Sequence, residues 1–414
     1  MSHLPQVALL LSPSAGYERA LLRGIARYAR LHGPWLLHLL GHDPQPPLLE
    51  PESLSSLPLE VQLRSRRRQA QMPDLRKLGV QGFIGRVLTP EAQAALVACA
   101  IPAIAMDLSD EQLANQRFCC QVSELSPDSH KAGRLAAEHL LERGLQNVAF
   151  FGYSGRNWSQ RRQEGFCQRL AEAGLTCSLH TPPQHRTRQS WQQERPRLIA
   201  WLQSLPKPVG VMTCNDVAGR QVIEACTLAG LAVPDDVAVV GVDEDRLLCD
   251  LSNPPLSSVA LNAEQGGYQA AEFLDGLMSG RVRARGQILV EPLWVVARRS
   301  TDVIAVEDPD VSVALRFIRD HARRSIGVTD VVRHAAIGRR TLEIRFHRTL
   351  GRSIREEIQR VRLGWTRQLL LETDLSLAKI AEQSGISSLS YLSKVFRRQT
   401  GVTLARYRRQ HRTP

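Results

Sequence analysis

The last hundred residues of this chain repeat themselves. Leu342, Phe346, Arg348, Gly351 and Ser353 recur as Leu392, Phe396, Arg398, Gly401 and Thr403, every pair fifty positions apart. A fixed period of that length means one supersecondary unit built twice. In each copy the leucine and phenylalanine lie four apart, on one helical face, so that face packs inward and the residues between and before it point out. Upstream of each lies a short amphipathic stretch and a tight turn: residues 329–335 then Ala336-Ile337-Gly338, and 377–384 then Gly385-Ile386-Ser387. Helix, turn and second helix is the arrangement that places a recognition helix in the DNA major groove.

The outward residues of the second helices are Arg339, Arg340, Thr341, Glu343 and Arg345 in one copy, and Ser388, Leu389, Ser390, Ser393, Lys394 and Arg397 in the other. Arginine can hold guanine bidentately, and serine can contact bases or phosphates. Arg339, Arg340, Thr341, Arg345, Ser388, Leu389, Ser390, Lys394 and Arg397 are therefore the expected DNA-binding residues. A helix over 354–371 links the copies; eighteen residues rise roughly 27 Å, of the order of the roughly 34 Å between major grooves on one DNA face.

Charge follows the repeat. The chain of 414 residues carries a net +12, and residues 308–414 hold 22 Lys and Arg against 10 Asp and Glu, leaving 31 of each elsewhere. All the excess positive charge lies in the repeat segment, as phosphate contact requires. Any one of these arginines read alone is surface charge; the repeat and the confined charge together point to double-stranded DNA.

Before about residue 299 the pattern changes to short apolar runs alternating with amphipathic stretches, the mark of parallel strands joined by crossover helices. Strands are expected at 7–11, 35–40, 101–106, 148–151, 209–213 and 237–242, and helices at 17–31, 128–143, 160–173, 216–229 and 264–278. Three hundred residues exceed what one sheet usually needs. Residues 41–73 interrupt the alternation with prolines and with Arg64, Arg66, Arg67 and Arg68, and read as an inserted solvated loop. The polar stretch 300–309 is the expected linker, dividing a domain over 1–299 from one over 310–414.

Other classes find little support. No apolar run approaches the roughly 20 residues of a membrane span, and the start reads as a first buried strand, not a signal peptide. None of the eight cysteines (Cys99, Cys119, Cys120, Cys167, Cys177, Cys214, Cys226 and Cys249) falls in a C-x-x-C pair; ordinary reduced thiols and a cytoplasmic location are expected. The chain has no phosphate-cradling G-x-x-x-x-G-K-[ST], no H-E-x-x-H and no G-x-S-x-G, and its histidines are scattered. Neither a catalytic residue, a metal nor a cofactor is expected.

Residues 311–409 resemble the AraC/XylS type of DNA-binding domain, through Ile380-Ala381 to Ser390-Tyr391, Phe396-Arg397-Arg398, Gly401-Val402-Thr403 and Tyr407-Arg408. Ile386, Leu392 and Leu404 depart from that pattern, and Ala336 and Gly338 stand where glycine and serine are usual, so the first turn is expected to be less well capped. The preceding region resembles the effector-binding core of LacI-type regulators, itself similar to periplasmic sugar-binding proteins. Asp128 with Ala136-Ala137-Glu138-His139-Leu140-Leu141, Arg162 with Gly165-Phe166, Asn215-Asp216, Val233-Pro234-Asp235-Asp236-Val237, Gly241-Val242-Asp243 and Leu256-Ser257-Ser258-Val259 carry the likeness.

The likeness implies an α/β core of two lobes, parallel sheets with crossover helices, followed by an all-α domain of two helix-turn-helix units. It implies a small ligand in the cleft between lobes, at the carboxyl ends of strands. On that architecture Arg162, Asp216 and Asp243 would face the ligand, with Trp158, Tyr17 and Ser14 beside them; carboxylates accept hydroxyl donors, guanidinium donates in a fixed fork, and an aromatic face stacks on a sugar ring. Each also has a plain structural reading: Asp216 as a helix cap, Asp243 as a turn residue, Trp158 as core.

A LacI-like core placed before an AraC-like domain is the layout of the xylose-operon regulators, which Tyr17-Glu18-Arg19 and Gly267-Tyr268-Gln269-Ala270-Ala271 also resemble. That family implies a DNA-binding transcriptional activator of sugar catabolism genes, a homodimer responding to xylose or a similar small sugar, with operator DNA and RNA polymerase as partners. Two alternatives share the residues: an α/β region that binds a non-sugar metabolite or only dimerises, and a sugar-binding protein without a transcriptional role.

Overall fold

The computed structural model describes residues 4–40, 75–87, 90–115, 118, 122–182, 188–303 and 308–411. The 41–73 insert with its four arginines, and Cys119 and Cys120, lie outside these. In chain order the strands are β1 (Gln6–Leu10), β2 (Leu36–Leu39), β3 (Gly82–Arg86), β4 (Ala103–Met106), β5 (Val122–Pro127), β6 (Asn147–Phe151), β7 (Cys177–His180), β8 (Val209–Thr213), β9 (Val237–Asp243), β10 (Ser257–Leu261), β11 (Gln287–Val290) and β12 (Pro292–Val296). The helices of the α/β region are α1 (Gly16–His32), α2 (Pro90–Cys99), α3 (Asp110–Ala114), α4 (Ser129–Leu141), α5 (Asn157–Ala171), α6 (Arg188–Ser204), α7 (Asp216–Leu228), α8 (Arg246–Leu251) and α9 (Ala263–Met278). The rest is helical: α10 (Pro309–His321), α11 (Val328–Ala335), α12 (Arg339–Leu350), α13 (Ile354–Glu372), α14 (Leu377–Gln383), α15 (Leu389–Thr400) and α16 (Leu404–His411).

The chain forms two compact units. One takes the chain up to Asp128, Arg156–Trp158 and Leu261–Pro292; the other takes Ser129–Gly155, Ser159–Ala260 and everything from Leu293 on. The first unit holds a sheet in the order β11-β5-β4-β3-β1-β2, the second a sheet in the order β12-β10-β9-β8-β6-β7. Every residue of β8 and β10 is buried, as expected of strands in a sheet covered on both faces. In each sheet the strand order reverses next to the first strand, at β1 and at β6, and ligands of such folds lie beyond the carboxyl ends of strands at that reversal.

The helical region has two separate cores. Val311, Ile318, Val331, Leu342 and Phe346 pack with Ile354 and Ile358, whereas Ile380, Leu392, Phe396 and Tyr407 pack with Leu363 and Leu370. One helix, α13, therefore contributes to both. The fifty-residue repeat now has a physical account. Its leucine and phenylalanine fill the cores, and its glycines, Gly351 (φ 65°) and Gly401 (φ 76°), close α12 and α15 in the left-handed conformation. Its hydroxyls start the next helices: Ser353 Oγ accepts from Glu356 N–H at 3.2 Å and Thr403 Oγ1 from Arg406 N–H at 3.3 Å.

Ser300 and Thr301, expected at the start of a linker, are instead fully buried. Their polarity misleads because each hydroxyl has a partner. Ser300 Oγ donates to the Val239 carbonyl at 2.6 Å, and Thr301 Oγ1 shares a bond of 2.7 Å with Ser257 Oγ. Among the described residues no helix is long and apolar enough to cross a membrane, and no group of His, Cys, Asp and Glu could hold a metal ion.

Candidate functional site

In the second unit, charged groups gather at the carboxyl ends of β8 and β9. Helix α5 is brought there by glycines on both sides of its contact with α4: a Cβ on Gly133 would lie 2.1 Å from the Arg162 carbonyl, and one on Gly165 would lie 2.0 Å from the His130 carbonyl. Only glycine allows backbones so close. Arg162, on α5, is 3% exposed. Its Nη1 donates to the Cys214 carbonyl just past β8, and its Nη2 to Asp243 Oδ1 at 3.0 Å. Asp243 ends β9 with a left-handed φ of 110°, and Glu244 follows at 54°. Conformations of this kind persist in residues with a Cβ only where the surroundings enforce them, and they cluster at functional sites.

Asp216 is the group that enforces this turn. It is 1% exposed, and both carboxylate oxygens are occupied inside the protein. Oδ2 accepts from Asp245 N–H at 2.7 Å; Oδ1 accepts from Ser258 Oγ at 2.6 Å, and Ser258 Oγ accepts in turn from Glu244 N–H at 3.0 Å. Asp216 thus lies behind the turn and holds it, with neither carboxylate oxygen left free. Burial first, then the charge of Asp243, pushes its pKa well above the ordinary carboxylate range. It is not the cap of α7; Asn215 is, accepting from Ala218 N–H at 2.9 Å.

In the first unit Tyr17 is buried in the first turn of α1, Ser14 is exposed with its Oγ 2.7 Å from Ser12 Oγ, and Trp158 is half-buried. Sequence reasoning missed the charged cluster there. Arg86, at the end of β3, donates from Nη2 to Glu18 Oε1 at 2.9 Å, and its Nη1 lies 2.9 Å from Asp107 Oδ2. Asp107 follows β4 with φ 47°, and its buried Oδ1 has no hydrogen-bond partner. The signal was present: Ala105-Met106-Asp107 ends an apolar strand as Gly241-Val242-Asp243 does.

On the helical segment, Arg339, Arg340, Thr341, Ser388, Leu389, Ser390, Lys394 and Arg397 are exposed. Arg339 Nε bonds Glu343 Oε1 at 2.9 Å one turn along α12, and Ser388 caps α15 by accepting from Tyr391 N–H at 3.2 Å. Arg345 differs from expectation: it turns back to Asp310 at 2.8 Å and Asp308 at 3.7 Å, at the acidic start of α10. The two turns are not equivalent. Gly385 (φ 71°) closes the second, where a Cβ would lie 2.4 Å from the Ala322 carbonyl. In the first, Ala336 takes φ 55°, and Gly338 begins α12 with no side-chain cap.

Connecting helix α13 locks both units. Arg362 donates to the carbonyls of Ala322 (2.8 Å), Arg324 (2.9 Å) and Ile326 (2.8 Å), and Thr366 Oγ1 to Ser384 Oγ at 3.0 Å in the second turn.

Comparison with known proteins agrees with both halves. Residues 137–301 match a periplasmic binding protein-like domain and residues 331–410 a helix-turn-helix domain. The xylose operon regulatory protein of Haemophilus influenzae is 31% identical over 337 residues, 81% of this chain and 86% of that one. The protein of the same name from Escherichia coli K12 is 35% identical over 294 residues, 69% of this chain and 74% of its own. The solved structure of a xylose-binding transcription activator, XylR, aligns over the whole of both chains with a TM-score of 0.57 and 27% identity. A ribose-bound LacI family regulator from Enterococcus faecium, at 21% identity and TM-score 0.53 over 72% of this chain and 98% of its own, shares the fold. The chain belongs to the family of xylose operon regulatory proteins.

Proposed function

We propose that the chain regulates transcription of sugar catabolism genes, holding operator DNA with residues 310–414 and a pentose such as xylose with the α/β region 1–299. The observation that carries this reading is the Arg162–Asp243 pair, fixed on a strained turn at the carboxyl ends of a parallel sheet, in a chain whose other end bears two helix-turn-helix units. A carboxylate accepts from several donors at once and a guanidinium donates in a plane. Asp243 and Arg162 suit adjacent sugar hydroxyls, with Asp216 positioning the turn. Tyr17, Ser14 and Trp158 are the first unit's candidates, joined by Asp107.

The regulator works as a cytoplasmic homodimer and an activator that engages RNA polymerase, and it carries out no catalytic step. Arg339, Arg340, Thr341, Ser388, Leu389, Ser390, Lys394 and Arg397 read or grip the operator, and Arg345 braces α12. The test is a thermal-shift series with D-xylose, other pentoses, hexoses and polyols on the native chain and on Asp243→Ala. A sugar at a hundred times its dissociation constant stabilises by about 2.7 kcal/mol, and that gain disappears in the variant. No shift with any sugar, alongside intact DNA binding, would move the effector to a non-sugar metabolite.

A further inference from the structure

The turn that carries Asp243 is tied by charged groups to the chain that enters the helical domain. Glu244, the second left-handed residue of that turn, takes both ends of the Arg298 guanidinium: Nη2 to Oε1 at 2.6 Å and Nη1 to Oε2 at 2.9 Å. Arg298 Nη1 also donates to the Leu256 carbonyl at 3.1 Å. The two side chains are 16% and 13% exposed, so water replaces neither partner cheaply. A bidentate fork fixes angle as well as distance, which a single hydrogen bond does not.

Arg298 directly precedes the 3-10 turn Arg299–Thr301. Ser300 and Thr301 are fully buried there and bonded to the sheet, so this turn moves as one body with what it touches. The next residue, Asp302, pairs with Arg319 of α10. Glu142, just after α4, pairs with Arg360 of α13, and Arg143 donates from Nε to the Thr301 carbonyl at 2.5 Å. One end of this polar network is the strained turn; the other is the first helix and the connecting helix of the DNA-binding segment.

We propose that Arg298 is a positioning residue that couples occupancy at Asp243 to the setting of the DNA-binding helices. An occupant that engages Asp243 resets the turn, Glu244 turns Arg298 with it, and the shift passes through Arg299–Thr301 and Asp302 to Arg319. This rests on the sugar site proposed above only for the identity of the occupant.

The test measures D-xylose affinity by calorimetry with and without a DNA fragment selected by the native chain from a random pool. In the native chain the two affinities differ by about fivefold or more, in the range of ordinary coupling. In Arg298→Gln they agree within about twofold, and Arg298→Lys, which keeps the charge and loses the fork, falls between. An unchanged ratio in Arg298→Gln, or equal affinities in the native chain, overturns the proposal. Hydrogen exchange without sugar supplies the second arm, with Glu244→Gln as a near-isosteric partner variant. Both variants speed exchange of amides 299–321 about tenfold or more and leave those of β8 and β9 unchanged; no change at 299–321 overturns the coupling. If the native chain binds no pentose, the sugar reading fails by itself and the exchange arm decides the joint.

Discussion

Asp216→Ala is the substitution whose consequence follows most directly from the geometry. The alanine leaves two buried donors, Asp245 N–H and Ser258 Oγ–H, without the acceptor each now uses at 2.7 and 2.6 Å. Each stranded donor costs about 1–3 kcal/mol. Part is recovered because a carboxylate disfavoured by burial is also removed, so a net loss of about 3 kcal/mol is expected. For a unit of this size 1 kcal/mol is worth about 2–4 °C, giving a fall in Tm of about 6–12 °C by calorimetry. Asp216→Asn separates hydrogen bonding from charge: its Oδ1 still accepts from Asp245, and its Nδ2 can donate to Ser258 Oγ, which has a second lone pair. The pH dependence has a definite sign. Since folding raises the pKa of Asp216, its contribution is full below the unfolded value of about 3.9 and is lost as pH rises through the folded one. Asparagine cannot ionise, so its stability relative to the native chain increases from acid toward neutral pH. A Tm for Asp216→Ala within about 2 °C of native, or a pH-independent gap between Asn and Asp, would refute the assignment of Asp216 to the turn.

Four substitutions in the DNA-binding segment have outcomes set by the same geometry. Gly385→Ala forces a Cβ toward the Ala322 carbonyl at a left-handed φ; a cost of about 3 kcal/mol is expected from backbone strain and displacement, read as an operator affinity lowered at least tenfold, and native affinity would contradict it. Gly338→Ser, where a new Cβ meets only Thr341 Oγ1 at 3.7 Å, supplies the missing cap and stiffens the unfolded chain, raising stability by about 1 kcal/mol; a lower urea midpoint would count against it. Arg397→Ala lowers the slope of log affinity against log salt by about 1 in filter binding. Arg345→Ala, already paired with Asp310, leaves that slope unchanged; equal losses from the two would show that Arg345 meets phosphate after all.

How legible the molecule is from sequence differs from element to element. Three of the buried strands were plain: the apolar runs expected at 148–151, 209–213 and 237–242 became Asn147–Phe151, Val209–Thr213 and Val237–Asp243, whereas Ser257–Leu261, just as buried, was missed because two serines open it. Gly82–Arg86 was missed because Gly-Phe-Ile-Gly-Arg has little β-branched or alternating character, although it is a central strand beside β1. The repeat located both recognition helices because leucine, phenylalanine and glycine are each required at a fixed station of the unit. The burial of Asp216 leaves no mark in its own stretch of sequence. Gly241 leaves room for a side chain behind β9, and a Cβ there would lie 2.3 Å from Asp216 Oδ1. Pairings such as Glu244 with Arg298, 54 residues apart, have no periodic signature at all.

Helix α13 is shared by both helical cores. Its 19 residues set the axial separation of the reading units and also their rotational phase, since each residue adds about 1.5 Å and about 100°. Operator spacing therefore cannot drift by single steps in such a chain. One inserted residue would turn the second reading head well off the groove, whereas seven would return it to within about 20° of its present heading, roughly 10 Å further along. A lineage of these regulators can change the gap between its half-sites only by jumps of that size, together with a matching change in the DNA.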